Sequence, residues 1–368
     1  MRSIIEYLFE TVDKRKSLID FIKDKANDNE INSLYNKYIT FEGKKIIFDW
    51  LSNKNPKSIY GSHLSDFKKT VASACDEFGC WEGILNLALK QINNENISKN
   101  KSSFYKIDFN KDFSLDDIYN YYNELEIPKT FWERILVSES AGQPVVGKGE
   151  FLLMIISENA NKKEGDIIIN DVGVEVKYIG KNEANLGNNE KGNISPIFNF
   201  LSKILKKDII EQTISSGTKI NNENTTNIKE AIELLQTIDN ETLENLLIDS
   251  LNNNQNKLGY YTDNKHTLKN NYNKIIKRTI KELKELKNID NFDKFLKIFT
   301  TLYTILYCTE ENAKYLCTTY KDNIFKFIKI DNDEDTFNNI INSTTFPFYQ
   351  LRASSNKNFI QISYKKQN

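Results

Sequence analysis

GDIIINDVGVEVK, residues 165–177, consists of two β-branched runs around Asn170-Asp171, with an Asp near one end and Glu-Val-Lys at the other. In a strand, successive side chains alternate between faces, so Glu175 and Lys177 share one face while Val174, Val176 and Tyr178 take the other. The preceding run, 166–170, alternates in the same way. If Asn170-Asp171 forms a two-residue loop, Ile169 pairs with Val172 and Asp166 lies opposite Glu175. A four-residue loop over 170–173 sets Asp166 opposite Lys177 instead. Either even-length loop keeps Asp166 on the Glu-x-Lys face, whereas a three-residue loop turns it away.

Two carboxylates about 5 Å apart at Cβ repel one another unless a cation lies between them, so the pattern asks for a metal. Mg²⁺ or Mn²⁺ suits carboxylate oxygens, retains several waters, polarises a phosphoryl oxygen and lowers the pKa of a bound water. A lysine beside it can orient or deprotonate the attacking water and offset charge developing on phosphate. Upstream, GKGEFLLMII (147–156) puts Glu150 in the first turn of a helix whose Phe151, Leu152, Met154 and Ile155 would pack on the apolar face of the hairpin. If that helix crosses near the hairpin, Glu150 supplies a third carboxylate.

This succession, G-x-G-E on a helix, Gly-Asp opening a strand and Glu-Val-Lys on the next, resembles the PD-(D/E)XK nuclease superfamily, in particular its phage-type members. The resemblance spans residues 140–190, with Gly165 standing where the literal pattern has Pro. It implies a restriction-endonuclease-like mixed-sheet core in which Glu150, Asp166 and Glu175 ligate Mg²⁺. It also implies that Lys177 assists the water attacking a DNA phosphodiester, leaving 5′-phosphate and 3′-hydroxyl ends. Glu-x-Lys alone carries little, because it recurs at Glu42/Lys44, Glu282/Lys284 and Glu285/Lys287. The last two fall on a helical pattern, where residues i and i+2 do not share a face. The competing reading is a solvent-exposed hairpin, with a Glu that favours a helix N-terminus through the macrodipole.

Around this core the chain reads as α/β and mostly helical. Residues 1–130 form a helical N-terminal region, with apolar spacings such as Leu18, Ile19, Phe21, Ile22 and Trp81, Ile84, Leu85, Leu87, Ala88. Residues 131–195 hold the catalytic core. Residues 196–320 form a helical insertion, with helices near 196–208, 227–238, 241–252, 268–287 and 291–307 separated by Asn-rich links. Residues 321–368 contain three strand-like stretches, NIFKFIKI, FPFYQLRAS and NFIQISYK, around a helix near 334–342, and are expected to complete the core sheet.

The 368 residues, enough for two or three domains, hold 50 basic and 51 acidic side chains, so bulk charge neither favours nor excludes a polyanion and any basic surface must be local. Lys148, Lys181, Asn182, Asn185 and Lys191, in the Gly-rich segments flanking the hairpin, are the candidates for tracking a nucleic-acid backbone. Four cysteines and two histidines lack the paired spacings that zinc needs, and reduced thiols point to the cytoplasm, that of the host if the chain is viral. No run approaches the roughly 20 apolar residues of a membrane span, so no membrane partner is expected. The Lys- and Asn-rich, Arg-poor composition suits an AT-rich source, compatible with a phage enzyme or a bacterial defence enzyme.

Three further motifs are set aside. GQPVVGKG (142–149) lacks the hydroxyl that a phosphate-binding loop places after its lysine. The acidic run 331–335 lacks the turn Gly and closing Glu of a calcium loop and reads as a helix cap. YNYYN (119–123) reads as helix-core packing rather than base stacking. The expectation is a Mg²⁺- or Mn²⁺-dependent DNA endonuclease, with no residue that separates DNA from RNA as substrate; double-strand cleavage would favour a homodimer. The alternative is a nucleic-acid-binding or virion-assembly module on a nuclease fold, with little or no cleavage.

Overall fold

The computed structural model describes residues 42–54, 61–140, 146–160, 166–179, 184–186, 228–252, 265–286, 292–310, 312–320, 323–331, 333–342, 348–353 and 360–365. The first helices are α1 (Lys44–Lys54), α2 (Gly61–Phe78), α3 (Trp81–Ile92), α4 (Leu115–Tyr121), α5 (Lys129–Leu136) and α6 (Glu150–Ile156). Local chemistry sets their ends. Helix α2 stops at Gly79, whose φ of +65° lets the Cys80 N–H donate back to the Cys75 carbonyl at 3.2 Å, the 6→1 bond of a Schellman stop. Helix α4 begins with a capping box, in which the Ser114 hydroxyl accepts from Asp117 N–H while the Asp117 carboxylate accepts from Ser114 N–H.

The apolar stripes of these helices meet in one core, where Phe67, Tyr122, Phe131, Trp132 and Phe151 are fully buried. Phe67 stacks on Phe151 with ring centroids 4.5 Å apart, tying α2 to α6. Tyr122, from the Tyr-rich stretch, stacks on Trp132 and accepts a hydrogen bond from Tyr105 N–H at 3.1 Å. That tyrosine packs in the core, as its helical spacing suggested.

The strands are β1 (Phe113–Ser114), β2 (Ile167–Ile169), β3 (Val172–Tyr178), β4 (Ala184–Leu186), β5 (Tyr315–Tyr320), β6 (Ile324–Lys329), β7 (Phe348–Ala353) and β8 (Ile360–Lys365). Five of them form a mixed sheet in the order β1-β6-β5-β3-β2. Only the β3–β5 pair is parallel among these, with Glu175 beside Leu316 and Lys177 beside Thr318. Between β3 and β5 the chain passes through α7 (Ile228–Thr237), α8 (Asn240–Asn252), α9 (Lys265–Lys284) and α10 (Phe292–Glu310). Parallel neighbours cannot be joined by a tight turn, so a long helical excursion is what this pairing demands.

One face of the sheet presents Ile167, Ile169, Val174, Val176, Cys317, Phe325 and Phe327 to the core of the first helices. The other carries Glu175, Lys177, Leu316 and Thr318, with Leu316 and Thr318 wholly buried. After β6, α11 (Glu334–Ile341) starts at Asp333, whose carboxylate accepts from Thr336 N–H at 2.7 Å. The acidic run is a helix cap.

The chain is therefore α/β and mostly helical, with three differences from the sequence reading. Strand β5 falls within 196–320, where helix was expected, and it is the parallel neighbour of β3. Of the three C-terminal strands, only β6 joins the sheet of the hairpin; β7 and β8 form a second sheet, ordered β4-β8-β7, with a strand that follows the hairpin. Strand β1 also reaches the five-stranded sheet from the helical N-terminal region, held where Phe113 stacks on Phe325 at 4.8 Å. Helices α7 to α10 match the expected 227–238, 241–252, 268–287 and 291–307 within a few residues. The helical readings of residues 1–41 and 196–208 lie outside the described residues. Among the described residues, no helix is long and apolar enough to cross a membrane.

Candidate active site

The hairpin takes the shorter of the two loops that its sequence allows. Ile169 pairs with Val172 and Ile167 with Val174, while Asn170 and Asp171 have φ of 51° and 62°. Two successive left-handed residues make a type I′ turn, which matches strand twist and which Asn and Asp tolerate better than other non-Gly residues. The ladder ends at the Ile167–Val174 pair; just before it, Asp166 N–H donates to the Val174 carbonyl at 3.2 Å, which keeps Asp166 against β3 next to Glu175. Its Oδ2 also accepts from Val176 N–H at 2.9 Å, which fixes the carboxylate against the strand.

Lys177 closes the group. Its Nζ lies 3.1 Å from Asp166 Oδ2 and 2.6 Å from Glu175 Oε1. The cation that two facing carboxylates require is here an ammonium carried by the same strand. Glu175 is 1% exposed, which is incompatible with the solvent-exposed hairpin of the competing reading. Burial disfavours the Lys177 charge, but Asp166, Glu175 and Tyr307 of α10 outweigh it and hold its pKa well above the ordinary lysine value. In this arrangement Lys177 is a fixed cation rather than a base.

The donor set fits a hard divalent ion. Asp166 and Glu175 both reach one cation position, and Mg²⁺ sites of this kind use one or two carboxylates completed by water and substrate phosphate. Glu150 is placed otherwise. It opens α6 after Gly149, whose φ of +88° few other residues would accept, and an added Cβ at Gly149 would lie 3.4 Å from Val176 Cγ1, on the apolar side of β3. Glu150 is 2% exposed, and its Oε1 accepts from Gly147 N–H at 2.6 Å. No group of three His, Cys, Asp or Glu suited to a metal ion forms among the described residues.

Of the residues assigned to the nucleic-acid backbone, Lys148 is part-exposed, with Nζ 3.8 Å from Glu139 Oε2. Asn185 lies on β4, in register with Ser363 of β8. Lys181, Asn182 and Lys191 lie outside the described residues. Thr318 and Tyr307 stand beside Lys177 without having been singled out by the sequence reading. Reading YLCTTY as a strand would have put Leu316 and Thr318 on one face, but only pairing with β3 brings that face to Lys177. Searches of protein-family models, curated proteins and solved structures find no match to this chain.

Proposed function

We propose that the protein is a metal-dependent phosphodiesterase acting on DNA, with a restriction-endonuclease-like core of the PD-(D/E)XK type. The observation that carries this reading is the convergence of Asp166, Glu175 and Lys177 on one position at the end of the hairpin. Asp166 and Glu175 would hold Mg²⁺ or Mn²⁺, which when bound polarises a phosphoryl oxygen and lowers the pKa of a bound water. Asp166, about one-fifth exposed, gives the group its open side, whereas Glu175 anchors it from within. Lys177, kept charged, orients the attacking water and offsets the negative charge that grows on the phosphate in the transition state. Backbone bonding of Asp166 to Val176 N–H restricts the carboxylate to one rotamer, so little ordering remains to be done when substrate arrives.

One observation favours a second reading, a nucleic-acid-binding or assembly module without cleavage: Lys177 already neutralises the two carboxylates, and no third acid joins them among the described residues. The two readings separate in a cleavage assay on supercoiled plasmid and single-stranded DNA, with Mg²⁺, Mn²⁺ or EDTA. Asp166→Asn and Lys177→Met are compared with wild type at matched circular dichroism. The nuclease reading expects metal-dependent cutting that falls by at least about a hundredfold in both variants. Cutting that survives both substitutions removes the site; DNA retention without cutting in any metal leaves the binding module.

A further inference from the structure

Thr318 is the one buried hydroxyl in register with Lys177 on β5, and its Oγ1 has no hydrogen-bond partner. Its residue exposure is 0%. A buried hydroxyl left unpaired carries its full desolvation cost, and such groups in a folded chain call for an explanation. Parallel register puts the Thr318 and Lys177 side chains on the same face of adjacent strands, about 4.8 Å apart at the backbone. The Lys177 stem has four methylenes and is flexible, which gives its ammonium the length to turn from the carboxylates toward β5.

Resting on the nuclease reading, we infer that Thr318 is a positioning residue, whose hydroxyl receives the Lys177 ammonium when Asp166 and Glu175 turn their oxygens to a divalent cation. The ammonium and the cation compete for the same two carboxylates, which lie 3.1 Å and 2.6 Å from Nζ. A lysine released from both without another acceptor would be a part-buried charge lacking a partner. Thr318 Oγ1 offers that acceptor one strand away, and its unpaired state in the present arrangement is then the counterpart of Lys177 lying on the carboxylates. Thr318 holds Lys177 near the reacting phosphate rather than touching the phosphate itself.

The test uses the full chain and two substitutions. Thr318→Val keeps the shape and removes the hydroxyl; Thr318→Ser keeps the hydroxyl. Mn²⁺ is titrated calorimetrically into each, alongside plasmid cleavage and thermal unfolding. A positioning role predicts that Thr318→Val binds Mn²⁺ about tenfold more weakly and turns over more slowly. Its unfolding temperature should be equal to or above that of wild type, and Thr318→Ser should restore both binding and turnover. A merely structural hydroxyl would move only the unfolding temperature. Mn²⁺ affinity and turnover unchanged in Thr318→Val, with wild type cutting DNA, would overturn this inference and leave the nuclease reading intact. A wild type that neither binds Mn²⁺ nor cuts would overturn both.

Discussion

Two lysines, one buried and one part-buried, show how a single residue's surroundings decide what it can do. Lys177 faces two carboxylates and keeps its proton; Lys54, at the end of α1, donates to the Ser157 carbonyl and lies 4.6 Å above the Phe104 ring. Burial pushes Lys54 down to about 7, against a smaller opposing pull from Glu158. The unfolded chain holds this proton up to its ordinary value of 10.5, so between 7 and 10.5 the unfolded state binds more protons than the folded one. Stability therefore falls as pH drops from 10.5 to 7, and below 7 the full penalty is in place. Lys54→Met should abolish this contribution, so that the wild-type minus variant unfolding free energy rises by up to about 1.4 kcal/mol per pH unit across the window. Denaturant melts at a series of pH values check it, and a flat difference would show that Lys54 stays charged in the fold. The partners of these two lysines were not equally legible in the sequence. Lys177 could be read because its partners lie on its own hairpin, whereas the Lys54 partner lies a hundred residues away.

At the scale of the element, the hairpin depends on one small residue as much as on its turn. Gly173 lies on β3, and a Cβ there would stand 2.5 Å from the Asn312 carbonyl oxygen, while the Gly173 carbonyl accepts from Lys314 N–H at 2.8 Å. The chain entering β5 thus presses directly on the backbone of β3. Gly173→Ala should cost about 1–3 kcal/mol, because backbone rather than a flexible side chain must yield. A lower urea midpoint with unchanged slope would report it, and an unchanged midpoint would show that the strands separate freely. The same hairpin was legible from sequence because period-2 alternation, an Asn-Asp loop and paired charges all agree within thirteen residues. Strand β5 was not. YLCTTY follows the long apolar periodicity of α10 after a short link, and its two threonines and cysteine carry no strong alternation of their own. Strand β1 has two residues, too few for any period to register, and is defined by what Phe113 meets.

Across the whole molecule, ion binding at the proposed hairpin site would be linked to folding, because β3 carries Glu175 and Lys177 and is paired with β5 in the folded chain. An ion that binds the folded chain alone stabilises it by about 2.7 kcal/mol at a hundred times its dissociation constant. Mn²⁺ or Mg²⁺ should therefore raise the wild-type unfolding temperature in a saturable way, and Asp166→Asn should lose most of the shift. An equal shift in that variant would place the ion elsewhere. The global arrangement was the least legible level, since a strand's sequence does not say which distant strand it will join. The C-terminal strands were recognised as strands, yet two of the three join β4 in a second sheet, β8 pairing with β4 and β7 with β8, rather than entering the hairpin sheet.

The parallel β3–β5 pair also has a meaning in time. Residues 172–178 leave the ribosome long before residues 315–320, an interval on the order of ten seconds at typical synthesis rates. During translation the charged face of β3 waits without its neighbour, and a message cut short anywhere in that interval yields a chain that lacks the wall behind Lys177. The charged face of β3 is therefore backed by its parallel neighbour only in chains synthesised beyond residue 320.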